Sequence, residues 1–220
     1  GAGKQTQVKM LHDRLVAEKT PAATLDYPHD SAKYGVLLRE LLSGKMGSIR
    51  DVDPLMFAAL YGLNRHDPLP RLKYWKQRGR NIILDRYVSA NFGHQASKLA
   101  SDEERNAVIQ KLSRFEFNWL GLPDVDAVLY LNLPPDFSLK AMEQDSTRRE
   151  LDMHELAGIE YKNNVRRAFL WCCETQRGWK EVSCVNGDET TRFTKDEVHE
   201  SIYGKLQDIF VNKGAAVEEN

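Results

Sequence analysis

Two kinds of apolar pattern alternate along the chain. The first is the short continuous run. Asn81-Ile82-Ile83-Leu84-Asp85 is apolar and ends in a charge, and Ala127 to Leu133 is a longer run bounded by Pro123 and Pro134. Both read as strands, the second buried on both faces. Val182-Ser183-Cys184-Val185 and the stretch around Ala23-Thr24-Leu25-Asp26 predict a third and a fourth. The second pattern is helical. Thr6 to Glu18 carries Val8, Leu11, Leu15 and Val16 on one stripe, and Tyr34 to Leu42 stops at Ser43-Gly44. Pro54 opens a helix to Asn64. Ser101 and Glu104 have capping-box spacing ahead of a helix from Asp102 to Trp119. Glu155 to Gln176 aligns Val165, Ala168, Phe169 and Cys172, and Thr194 and Glu197 form a second capping box before a last helix to Phe210. Strands separated by helices imply parallel pairing in a doubly wound α/β sheet.

Composition adds limits. The chain has 220 residues, and 41% of them are hydrophobic, which suits a packed core and excludes a disordered chain. Lys and Arg number 31 against 32 Asp and Glu, so no bulk positive charge grips nucleic acid or an anionic membrane. A local arginine cluster is still compatible with that sum. No apolar run reaches the ~18 residues of a membrane helix. Cys172, Cys173 and Cys184 are odd in number and clustered late, which speaks for a reducing compartment, the cytoplasm, rather than a disulfide framework.

The candidate chemistry begins at the first residues. Gly3-Lys4 directly precedes a helix, as in the second half of the phosphate-loop pattern G-x-x-x-x-G-K-[ST]. Glycines let backbone N–H groups wrap a phosphate, lysine reaches its oxygens, and the helix N-terminus adds partial positive charge. Gln5 stands where Ser or Thr would offer a hydroxyl to Mg²⁺, and Thr6 points about 100° away round the helix. The same tetrapeptide also reads as a plain terminal Gly-Ala-Gly ahead of a helix. Asp85-Arg86-Tyr87 tips the balance, because an Asp-Arg pair at the carboxyl end of a strand sits where ligands bind in an open parallel sheet. The arginine can fork onto a phosphate, and the aspartate, Asp85, can hold magnesium through water or receive a proton from the acceptor.

With these residues in place, the sequence resembles the thymidylate kinases, nucleoside-monophosphate kinases that convert dTMP and ATP to dTDP and ADP. Gly1-Ala2-Gly3-Lys4-Gln5-Thr6 is similar to that family's ATP-binding loop, and Asp85-Arg86-Tyr87 to its D-R-Y/H motif. Ser89-Ala90-Asn91-Phe92-Gly93-His94-Gln95 resembles its base-pocket stretch. Glu116-Phe117-Asn118, Gly121-Leu122-Pro123-Asp124 and Val128 to Leu131 resemble its run from helix into strand, and Asp152-Met153-His154-Glu155 a stretch after its lid. The resemblance implies a three-layer α/β/α P-loop kinase fold with a mainly parallel sheet, one domain over residues 1–220 and a short lid at about 140–156. It implies ATP as donor, Mg²⁺, a homodimer touching through the helices after Pro54 and after Asp85, and no nucleic-acid or membrane partner. Lys4 would neutralise ATP phosphates. Tyr61, stacking on the base, and Arg65, bonding its edge, are four apart on one helix. Asn91, His94 and Gln95 would complete the dTMP pocket, with Tyr27 and Pro28 at its phosphate end. For each of these side chains plain packing or solvation is the competing reading.

Three departures stand out. The family's phosphate-gripping F-P-x-R appears as Tyr27-Pro28-His29-Asp30, so Arg86 would grip the dTMP phosphate with Arg39 or Lys33, while Asp30 would help to organise water and Mg²⁺. Gly1 stands where some members carry a catalytic arginine, which shifts that role to Arg148 or Arg149 in the lid. Third, the acidic residue that the resemblance implies just before Gly1 lies outside the sequence; the strand and first half of the loop would precede Gly1 as well, so a natural protein longer by roughly ten residues or more is expected. Two rival functions follow from these departures: a kinase for dUMP or UMP, and a regulatory protein that binds nucleotide without turnover.

Overall fold

A computed structural model describes residues 2–30, 33–45, 54–137 and 158–214. In chain order the described elements are α1 (Lys4–Ala17), β1 (Ala22–Asp26), α2 (Lys33–Leu42), α3 (Pro54–His66), α4 (Leu69–Gln77), β2 (Asn81–Asp85), α5 (Val88–Ala96) and α6 (Asp102–Ser113). A π-helical turn (Arg114–Trp119), β3 (Val128–Asn132), α7 (Ile159–Thr175), β4 (Trp179–Ser183) and α8 (Lys195–Gly214) follow. The expected capping boxes form. Ser101 Oγ accepts from Glu104 N at 3.2 Å while Glu104 Oε2 accepts from Ser101 N, and Thr194 and Glu197 exchange the same bonds.

Both described strand pairs are parallel, as the α/β pattern predicts, and a single antiparallel bridge joins Val185 to Arg192 after β4. The sheet is nevertheless not continuous. β1 pairs with β2 from Ala22↔Asn81 to Asp26↔Asp85, and β3 pairs with β4 from Val128↔Trp179 to Asn132↔Ser183, but β2 is not bonded to β3. Both pairs still lie between the same two apolar layers. Ile82, Leu84 and Val128 pack into the cluster formed by α3 to α7, while Ile83, Leu129 and Leu131 pack with Leu11 and Leu15 of α1 and Val198 and Ile202 of α8. That alternation is the period-2 signature of a sheet covered on both faces. It corrects one expectation: β3 is only half-buried, and among the described residues no strand is bonded along its edge away from β4.

Element bounds and helix type also differ from expectation. β4 begins at Trp179 rather than Val182, and the single helix expected over Asp102–Trp119 changes to π-type bonding at Arg114. α4 is an additional helix inside a stretch read as a connection, and α5 is the helix that the resemblance implied after Asp85.

Gly93 of α5 shows how closely the helices approach. A Cβ built there falls 2.4–2.6 Å from the ring of Phe169, which stacks on Tyr130 with centroids 4.8 Å apart. Gly93→Ala should therefore cost about 1–3 kcal/mol by overpacking, read from the urea midpoint.

The α1–α8 seam is polar at its rim. Arg14 pairs with Glu18 at 3.1 Å and Glu200 at 2.8 Å, and lies 3.4 Å from the centroid of the Tyr203 ring. Buried His199 sits in the same seam. Burial and then the Arg14 charge lower its pKa, against opposing pulls from Glu200, Asp196 and Glu18. The unfolded chain thus binds the His199 proton more readily, so this group's contribution is lost as pH falls through the ordinary histidine range. Stability should fall from pH 7.5 to pH 5.5 more in the native protein than in His199→Gln.

Candidate active site

The site is assembled at the carboxyl ends of the strands. The Asp26↔Asp85 register places the ends of β1 and β2 side by side. α1 packs on both strands, and the short turn before β1 reverses the chain, so its N-terminus returns to that same end. Gly3 caps α1 with a left-handed φ of 77°, a conformation glycine adopts at no steric cost, and Gln7 N–H donates to Gly3 O at 3.0 Å. Lys4 is the first residue of the helix, exposed, and near enough to Cys184 just beyond β4 for its charge to act on that thiol. Burial still pushes Cys184 up to about 11. Gln7 Nε2 donates to Lys195 O at 2.7 Å and so ties this helix start to the start of α8. Ala2 is half-buried, Gln5 and Thr6 are exposed, and Gly1 lies outside the described residues.

Asp85 is buried at the end of β2, and exposed Arg86 follows with a left-handed φ of 61°. A non-glycine residue held there carries about 1–3 kcal/mol of strain, and such strain clusters at functional sites. Tyr87 is buried again, its hydroxyl donating to Pro123 O at 3.0 Å, so only the arginine turns outward at this strand end.

The neighbouring loop is fixed just as firmly. Tyr27 is buried against Tyr87, and Pro28 follows it through a cis peptide bond. Asn64 accepts from His29 N at 2.8 Å and donates to His29 O at 3.1 Å. Gly35 lies so close that a Cβ would fall 2.1 Å from His29 O. Asp30, expected to organise water and Mg²⁺, instead receives two bonds of 2.7 Å from the fork of exposed Arg39. Lys33 lies over the Tyr34 ring at 5.3 Å.

The residues assigned to the base divide into two groups. Tyr61, Arg65 and Asn91 converge. The Arg65 guanidinium lies 6.0 Å from the Tyr61 ring centroid, and Arg65 is 1% exposed rather than solvated. Its fork meets Glu116, itself 0% exposed, with Nε to Oε2 at 2.6 Å and Nη2 to Oε1 at 2.5 Å. Asn91 Nδ2 donates to Glu116 Oε1 at 2.9 Å and to Ala58 O at 3.2 Å. His94 and Gln95 turn elsewhere: His94 meets the Phe169 ring edge-on at 5.7 Å, and Gln95 accepts from Lys98 at 3.0 Å.

Glu116 and Arg166 are the polar residues that sequence reasoning missed. Arg166 of α7 donates to Asn132 at the end of β3 at 2.7 Å and pairs with Glu189 in the loop after β4. In that loop Asn186 Oδ1 accepts from Thr190 and Thr191 N–H at 2.9 and 2.8 Å. Arg148, Arg149 and the lid at about 140–156 lie outside the described residues.

Comparison with known proteins bears directly on this arrangement. The family model described as thymidylate kinase matches residues 1–202. The chain belongs to the thymidylate kinase family. Among thymidylate kinases, the protein from Chlorobium luteolum is 25% identical over 96% of this chain and 94% of its own length. The human one is 28% identical over 91% of this chain and 82% of its own. A solved thymidylate kinase from Candida albicans shares the fold, with a TM-score of 0.66 and 20% identity over 94% of this chain and 87% of that one. No described helix is long and apolar enough to cross a membrane.

Proposed function

We propose that the protein phosphorylates dTMP to dTDP with ATP as donor. The reading is carried by the strand-end register that sets Asp85-Arg86 beside the Tyr27–Asp30 loop, above the helix opened by Gly3-Lys4. Lys4 and the α1 N–H groups hold the ATP phosphates. Arg86 grips the acceptor phosphate, joined by Arg39 once its fork exchanges Asp30 for phosphate oxygens. Tyr61 stacks on the base, with Arg65 and Asn91 at its edge, and Arg148 or Arg149 closes from the lid. Catalysis is positioning and charge neutralisation, with the phosphoryl group passing in line and no covalent enzyme intermediate.

The described residues include no cluster of three or more metal-ligating side chains. Asp85, a buried carboxylate at the end of β2, would hold a magnesium ion through water, because Mg²⁺ commonly uses one or two carboxylates and keeps several waters. Bound there, the ion neutralises charge on the phosphoryl oxygens. A cytoplasmic homodimer and a single domain over 1–220 complete the proposal.

The test is turnover by purified protein, ATP and Mg²⁺ against dTMP, dUMP, UMP and dCMP. Formation of dTDP and ADP, with dTMP preferred, is the expected result. No product from any pyrimidine monophosphate overturns the reading, and preference for UMP or dUMP reassigns the acceptor.

A further inference from the structure

We infer that Glu116 is a positioning residue that sets the hydrogen-bonding polarity with which the pocket reads the acceptor base. The inference rests on the proposed placement of that base beside Tyr61, Arg65 and Asn91.

The chemistry begins with a buried carboxylate. A carboxylate only accepts, so every group bonded to Glu116 must turn a donor toward it. Arg65 does so with Nε and Nη2, which leaves Nη1 outside the fork. Asn91 does so with Nδ2, whose second hydrogen reaches Ala58 O. Both amide hydrogens are therefore committed, and the polar atom of Asn91 that stays outside these bonds is its carbonyl oxygen. The pair thus offers a ligand N–H donors from Arg65 and one acceptor, from Asn91. That order complements a ring carbonyl adjoining a ring N–H, as in thymine or uracil. Cytosine presents the reverse, an amino donor adjoining a bare ring nitrogen.

The backbone supports this role. Glu116 lies in the π-helical turn, where Leu120 N donates to Phe115 O five residues back at 3.0 Å. Such turns insert an extra residue and are common at functional sites. Here Glu116 is fully buried while Trp119, three residues on, is 76% exposed. Gly62 allows the close approach, since a Cβ there would fall 2.8 Å from the Phe115 ring and 3.6 Å from the Glu116 carboxyl carbon. An acid placed only for helix solubility would face the other way.

The test is Glu116→Gln, because an amide both donates and accepts and so no longer dictates which way Asn91 faces. In the folded variant the KM for dTMP should rise about tenfold or more, on the scale of a lost hydrogen bond to a charged group, with the KM for ATP unchanged. The ratio of kcat/KM for dTMP over dCMP should fall by a similar factor. A purely structural role would reduce the active fraction and leave both KM values and the ratio in place, and that result overturns the inference. If Glu116→Gln does not fold, Glu116→Asp decides the matter by the same readouts, since it keeps the charge but is too short to serve Arg65 and Asn91 together. Native protein that converts dTMP beside a variant of unaltered discrimination sinks this inference alone. Native protein inactive on every pyrimidine monophosphate sinks the functional reading and this inference with it.

Discussion

Replacing Arg86 by alanine should lower kcat about 10²–10³-fold, the usual effect of removing a positioned charge from a phosphoryl- or acyl-transfer site. The side chain is exposed, so its loss removes no core packing. The backbone sharpens the experiment. Arg86 holds a φ of 61°, which glycine adopts without strain. Arg86→Gly should therefore be at least as stable as the native protein and as inactive as Arg86→Ala. A glycine variant that kept its activity would show that the backbone turn, not the guanidinium, matters. Steady-state kinetics beside thermal melts separate these outcomes.

The second large effect concerns stability. Arg65→Met should cost about 3–5 kcal/mol, because it leaves the Glu116 carboxylate buried without its cation. Asn91 alone is a neutral donor and cannot balance that charge. Removing both charges, as in Arg65→Met with Glu116→Leu, should recover most of the loss, since apolar replacements of buried pairs are often near neutral. Urea unfolding of the two single variants and the double variant measures the coupling. A single variant as stable as the native protein would mean that the pair is not desolvated. The double variant should not regain acceptor recognition even where it regains stability.

The legible parts of this molecule are those whose signal is local. β2 and β3 could be read because each apolar run is continuous and ends in a polar residue. The capping boxes could be read because both partners lie within one turn. The helix-start position of Gly3-Lys4 and the strand-end position of Asp85-Arg86 could be read because each signal is confined to neighbouring residues. α4 escaped the apolar pattern because it is short, nine residues, and punctuated by Pro68 and Pro70; α5, also nine residues and interrupted by Gly93, is legible only through the resemblance, which implies a helix after Asp85. Glu116 escaped for a different reason. It alternates with phenylalanines in Phe115-Glu116-Phe117, a pattern that suits a solvated position, and its partner Arg65 is 51 residues away. Similarly, the fork between Asp30 and Arg39 joins a loop to the last turn of α2. Only the fold brings such partners together, so no window along the sequence contains the information.

The seam between the two strand pairs has a consequence for exchange with solvent. Asn81 N donates to Pro21 O and Asp85 O accepts from Tyr27 N, so the odd-numbered residues of β2 face β1. Val128 N donates to Gly178 O and Asn132 O accepts from Cys184 N, so the even-numbered residues of β3 face β4. The amides of Ile82, Leu84, Leu129 and Leu131 therefore point into the seam, away from either ladder. Ile83 and Tyr130, engaged in the ladders, should label late in deuterium. Late labelling of Ile82, Leu84, Leu129 and Leu131 as well would show that a further strand bonds along the seam, and early labelling that none does.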